Sequence, residues 1–181
     1  LGVAVAIYGY MLWVAFDLLF PAGSTYRVAA RPYAGWSLVL VGLVYLMILS
    51  GGLVAGTDAG FAYPTWPLMG PSFIPEGLYS STPAWLAAFE DVTTIQFNHR
   101  MFAYLLFVLI NLFAWLVFRS EAGGRSRAAA VLLAVALLLQ VTLGISTLLL
   151  HVAIPVAAAH QGGAVLLLSA MVFVSHVLVR Q

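Results

Sequence analysis

Cysteine is absent from the chain, and so is lysine. Without a thiol there is neither a disulfide framework nor a thiolate metal site, so any metal must be held by histidine or carboxylate. Charge is scarce as well: charged residues make up 7% of the 181, the formal net charge is +1, and the seven basic residues, all arginine, are scattered. Nucleic acid needs a basic patch and is therefore excluded as a partner. The chain also lacks a Walker loop, a GxGxxG after a strand, a GxSxG and an HExxH, which leaves phosphate binding and hydrolysis without support. Leu1 opens inside an apolar run, with no initiator Met, no basic n-region and no small-residue cleavage site. The expectation is the later part of a longer protein.

What fills the chain instead is apolar: 64% of its residues are hydrophobic and its mean hydropathy is +1.06. No soluble domain tolerates that balance, so lipid is the expected solvent. Apolar stretches at roughly 1–20, 36–56, 94–118, 128–150 and 157–179 approach the ~20 residues that span a bilayer. Backbone groups in hydrocarbon find partners only within a helix or a closed barrel, and runs of this length predict helices. The fold class is thus an all-α, polytopic membrane protein. Stop signals agree: Pro21, then Gly56-Thr57-Asp58, then Arg119 to Arg127 around Gly123-Gly124, then Pro155.

Arg27 and Arg31 follow the first stretch, Arg119, Arg125 and Arg127 the third, and Arg180 the fifth, all on one side. The opposite loop, 57–92, has no basic residue and carries Asp58, Glu76, Glu90 and Asp91. The positive-inside rule then places the C-terminus on the cytoplasmic or matrix side. The same loop is rich in Pro and aromatics (Tyr63, Trp66, Phe73, Tyr79, Trp85), which suits either an interfacial lid or a plain aromatic belt.

The third and fifth stretches both run inward from the loop side, and each has a histidine in its first two turns, His99 and His160. At ~1.5 Å per residue they sit at similar depth, where an imidazole without a partner is costly and a role is the default expectation. Two imidazoles facing each other in a helical bundle are the usual means of holding heme iron from both sides. The competing readings are histidines bonded to neighbouring helices and a zinc or copper site completed by His151 or loop carboxylates. Gly51, Gly52, Gly56, Gly144, Gly162 and Gly163 would let a macrocycle lie on backbone or would simply allow close helix packing. His151 is expected at the interface, and His176 is expected to snorkel or bond a neighbour. Arg100 keeps its charge and needs an anion or water; a heme propionate is one partner, and Glu90, Asp91 or the interface is the other.

These residues carry a family likeness. Gly51-Gly52-Leu53-Val54-Ala55-Gly56-Thr57-Asp58-Ala59-Gly60, Tyr63-Pro64-Thr65-Trp66-Pro67-Leu68-Met69, Gln96-Phe97-Asn98-His99-Arg100 and His160-Gln161, in this order and spacing, resemble heme A synthase of the proteobacterial and mitochondrial type. The resemblance implies two similar four-helix halves, of which this chain corresponds to the last helix of the first half and the whole second half. It divides the chain into that helix (1–20), a cytoplasmic or matrix loop (21–35) and a C-terminal four-helix heme-binding bundle (36–181) with the outer loop 57–92. It implies an oxidoreductase of the bacterial or mitochondrial inner membrane that converts a methyl group of heme O to the formyl group of heme A for terminal oxidases. Heme O is then the substrate, and the synthase that makes it and an electron acceptor are the expected partners. His99 and His160 would bind the iron of a heme b that relays electrons, with Arg100 at a propionate. In the family's first half a glutamate lies three residues before the first histidine. Gln96 stands at that offset here, and an amide does no carboxylate chemistry, so methyl oxidation belongs to the other half. Asn98 stands where the family often has Asp. The rivals from other classes are a non-catalytic b-type cytochrome subunit for quinol-linked electron transfer and a transporter without a cofactor.

Overall fold

The computed structural model describes residues 1–20 and 27–180; of residues 27–31 only the backbone is described. Among the described residues, five helices are long and apolar enough to cross a membrane: α1 (Gly2–Leu19), α2 (Arg27–Gly56), α4 (Val92–Arg119), α5 (Gly124–Leu149) and α6 (Ile154–Arg180). A one-turn helix α3 (Ala87–Glu90) lies in the long loop. No strand forms among the described residues, and the chain is an all-α polytopic membrane protein.

The expected spans hold with two adjustments. α2 begins at Arg27, so residues 27–35, expected in a loop, are helical, and Pro32 sits within the helix. Pro32 is the sixth residue of α2, just past the first turn, and removes one intrahelical backbone donor. Pro155, expected as a stop ahead of the last span, instead occupies the first turn of α6, where donors lack intrahelical acceptors in any case. Pro21 and the side chains of Arg27 and Arg31 fall outside the described residues. Asp91 caps α4 by accepting from the Thr94 amide at 2.7 Å, the usual use of an aspartate just before a helix.

α2 packs on α4 and on α6, and α5 packs on the same two helices, so α4 and α6 occupy opposite corners of a four-helix arrangement. α1 stands outside, set mainly against α6. The shared core includes Ile110, Val117, Leu133, Met171 and Val174, all fully buried. Lipid is as apolar as these side chains, so their contribution is close packing, not escape from water.

At the arginine end, one polar contact joins α1 to α6. Asp17 accepts from His176 Nε2 (2.9 Å), from Arg180 Nε (2.8 Å) and, through its other oxygen, from Arg180 Nη2 (2.6 Å). His176 is fully buried beneath Trp13 and Phe16. It bonds a neighbour, one of the two expectations. The Asp17 carboxylate, alone in an apolar run, was the sequence signal for this contact. Asp17→Ala strands the buried His176 and releases Arg180. The expected result is a lower midpoint of thermal unfolding in detergent and slower disulfide trapping between cysteines placed on facing positions of α1 and α6. Asp17→Asn, which still accepts from His176, should lose less.

Candidate functional site

At the loop end, His99 is the eighth residue of α4 and His160 the seventh of α6, about 10 Å along each helix at ~1.5 Å per residue. His99 and His160 thus lie on opposite corners of the bundle at matched depth along their helices. Each ring lies on a glycine of a neighbouring helix. A Cβ added to Gly51 of α2 would stand 3.3 Å from Cε1 of His99, and one added to Gly144 of α5 would stand 2.9 Å from Cε1 of His160. The expected glycines therefore divide: Gly51 and Gly144 seat the imidazoles, Gly52 and Gly163 meet Leu1 and Gln140, and Gly56 and Gly162 face open space.

The hydrogen bonds of the two rings differ. His99 Nδ1 is 3.0 Å from the Ser50 hydroxyl, whereas His160 Nδ1 is buried with no partner among the described residues, as is Gln140 Oε1 on α5. A buried imidazole nitrogen without a partner, in a pair of imidazoles seated on backbone, is what a ligand set looks like when its ligand is not counted. No group of three or more His, Asp or Glu side chains converges among the described residues to hold a bare metal ion. His151 lies exposed in the turn after α5.

Arg100 is buried, but neither Glu90 nor Asp91 pairs with it, and the ion pairs among the described residues are those of Asp17. Its guanidinium donates to backbone carbonyls of the long loop: Nη2 to Tyr63 (2.7 Å), Nη1 to Thr65 (2.9 Å) and Leu68 (3.3 Å). Nε has no partner. One turn earlier on the same face, Gln96 Nε2 donates to Gly60 (3.2 Å) and Tyr63 (3.3 Å). The segment they hold is closed on itself. Thr65 Oγ1 donates to the Leu68 carbonyl (2.8 Å) and accepts from the Gly70 amide (2.9 Å), while the Met69 amide bonds Ser72 (2.8 Å) and the Met69 side chain is buried. Gly70 has φ +69°, where an L side chain is strained.

Further along the loop, the Tyr79 hydroxyl donates to Asn98 Oδ1 (2.7 Å), the Tyr79 amide to Thr94 Oγ1 (3.2 Å), and Phe73 stacks on Tyr104. The first turns of α4 thus carry a histidine and also anchor the loop. Ser50, Thr94 and Tyr104 were not singled out in the sequence, and Tyr79 only as a loop aromatic, because a lone hydroxyl next to Gly-Gly or in a loop has no distinctive spacing. Trp66 and Trp85 are both exposed, as either the lid or the belt requires.

The fold and site define a polytopic helical membrane protein with two half-buried imidazoles at matched depth on opposite helices and a loop anchored to one of those helices. The sequence profile of the COX15-CtaA family, described as cytochrome oxidase assembly protein, matches residues 1–172. Proteins named heme A synthase are similar along nearly the whole chain: 48% identity in Nitrosospira multiformis (100% of this chain, 51% of the relative) and 43% in Rhodospirillum centenum (98% and 47%). The mouse protein named heme A synthase COX15 is 40% identical (93% and 41%). The chain belongs to the heme A synthase family. It spans about half the length of the curated relatives it matches. No solved structure matches it.

Proposed function

We propose that this chain forms the electron-accepting, heme b-binding half of a heme A synthase, in which His99 and His160 would hold the heme iron. The observation that carries the reading is the pair of imidazoles on opposite helices, each seated on a glycine, one with a hydrogen-bonded Nδ1 and the other with an orphaned one. Nitrogen donors on two sides and no thiolate are a donor set that heme iron accepts. When bound, the heme supplies one-electron chemistry. The chain's own residues hold and shield it: α4 and α6 set the spacing of the ligands, and Gly51 and Gly144 allow the rings to approach the backbone. Gln96 and Arg100 tie loop 57–92 over the α4 side of the site as a lid.

Arg100 is largely committed to the loop, and its Nε–H and second Nη2–H are the donors left for a propionate. With Gln96 an amide bonded to carbonyls, this half moves electrons, and oxidation of the heme O methyl group takes place in the remaining half of the longer protein. Residues 1–20 are the last helix of the first half, segment 21–35 joins the halves, and residues 36–181 make the heme-binding unit. The arginine end, with the C-terminus, faces the cytoplasm or matrix of a bacterial or mitochondrial inner membrane, as the loop's lack of basic residues supports.

The deciding experiment is extraction of the hemes from membranes that contain the full-length protein and a source of heme O, beside a reduced-minus-oxidised spectrum of the purified protein. Heme A in the extract and a low-spin b-type signal are expected. A b-type signal without heme A would point to a cytochrome instead, and a colourless protein would end the heme reading. The glycine seats have their own test: Gly144→Ala, whose methyl meets a rigid ring and not a flexible chain end, should lower heme content several-fold, Gly51→Ala less, and Gly162→Ala not at all. Equal heme content in all three would remove the seats from the account.

A further inference from the structure

We propose that Ser50 is the positioning residue for His99: its hydroxyl fixes the imidazole tautomer that leaves Nε2 free to bind iron, and it sets the redox poise of that iron. This rests on the heme reading above. A neutral imidazole carries one N–H, and only the bare nitrogen can ligate. If His99 presents Nε2 to the iron, Nδ1 must hold the proton, and the Ser50 hydroxyl 3.0 Å away is then its acceptor. Gly51, the next residue of α2, keeps the ring within van der Waals reach of the helix so that this bond can form. A serine in a helix more often bonds the carbonyl one turn back, as Ser37 does with Ala34; Ser50 reaches across to α4 instead.

An acceptor on Nδ1–H makes the imidazole a more basic ligand. A more basic ligand favours ferric over ferrous iron, so the bond lowers the midpoint potential. The polar group acting on the His160 ring is the Gln140 backbone and not a hydroxyl, so the two rings are held by different partners.

The test is spectroelectrochemical titration and heme-loss kinetics on the full-length protein in detergent, as wild type, Ser50→Ala, Ser50→Thr and the distant control Ser37→Ala. Ser50→Ala is expected to keep a low-spin spectrum, to raise the midpoint potential and to lose heme about tenfold faster, the lower end of the effect of removing such a partner. Ser50→Thr should restore both, and Ser37→Ala should alter neither. Complete heme loss in Ser50→Ala that Ser50→Thr reverses supports the proposal equally. An unshifted potential and unchanged heme loss in a Ser50→Ala protein that still binds heme overturns it while leaving the bis-histidine reading intact. A wild-type protein without b-type heme overturns both.

Discussion

Replacing either His99 or His160 with alanine in the full-length protein is expected to abolish the low-spin b-type spectrum and to reduce bound heme by more than tenfold. Loss of a partner that merely orients a ligand costs about 10–100-fold in metal affinity, and loss of the ligand itself costs more. Both rings are held by neighbours other than each other, His99 by Ser50 and Gly51 and His160 by Gly144, so the two substitutions should leave the helices in place. That permits a specific control. Free imidazole added to either alanine variant should refill the space and bring back part of the low-spin signal, which an unfolded bundle would not allow. Heme content and spectrum unchanged in both variants would sink the ligand assignment and leave the family membership untouched.

Arg100→Met should release the loop. The guanidinium makes three hydrogen bonds to loop carbonyls from a buried position, and methionine fills similar space without any donor. Bonds to a charged group contribute about 1.5–3 kcal/mol each, but they share one side chain and the freed carbonyls gain some access to water. A net loss of about 3 kcal/mol corresponds to roughly a hundredfold shift in the opening of the segment. The loop has no lysine or arginine, so trypsin cannot report this; chymotrypsin, with Phe61, Leu68 and Phe73 as cleavage sites that no proline follows, should cut the variant far faster than the wild type. Arg100→Lys should fall between the two, because a single ammonium cannot span Tyr63, Thr65 and Leu68 as the planar fork does. Equal cleavage of all three proteins would mean that Gln96, Tyr79 and Thr94 hold the loop without Arg100. If the loop also shields the heme, Trp66→Ala with Trp85→Ala should raise solvent access to it; unchanged access and heme retention would leave those side chains as an aromatic belt.

Fold and site are unequally legible in the sequence. Five spans, their helical state and the depth of two histidines follow from composition and run length alone, because hydrocarbon leaves a backbone so few alternatives. The boundaries were less legible. α2 begins well ahead of its apolar core, at Arg27, since a helix can extend past the hydrocarbon at no cost that the hydropathy pattern records. Arg100 shows the same limit from the chemical side. The sequence said that a buried cation needs a partner and offered a propionate or a carboxylate; the fold supplies three carbonyl oxygens of a segment more than thirty residues upstream, and no periodicity encodes which backbone will arrive there.

By itself, then, the sequence determined the solvent, the helices, the depth of His99 and His160 and, through its motifs, the family. Only the tertiary structure decided which glycines seat the rings, that Ser50 and not a carboxylate meets His99, that α4 ties down the loop and that Asp17 bridges α1 to His176 and Arg180. The division has a physical cause. Burial in lipid acts on each residue through its own polarity and is summed along the chain, whereas a hydrogen bond or a glycine contact depends on the relative placement of two distant segments, which exists only once the helices have packed.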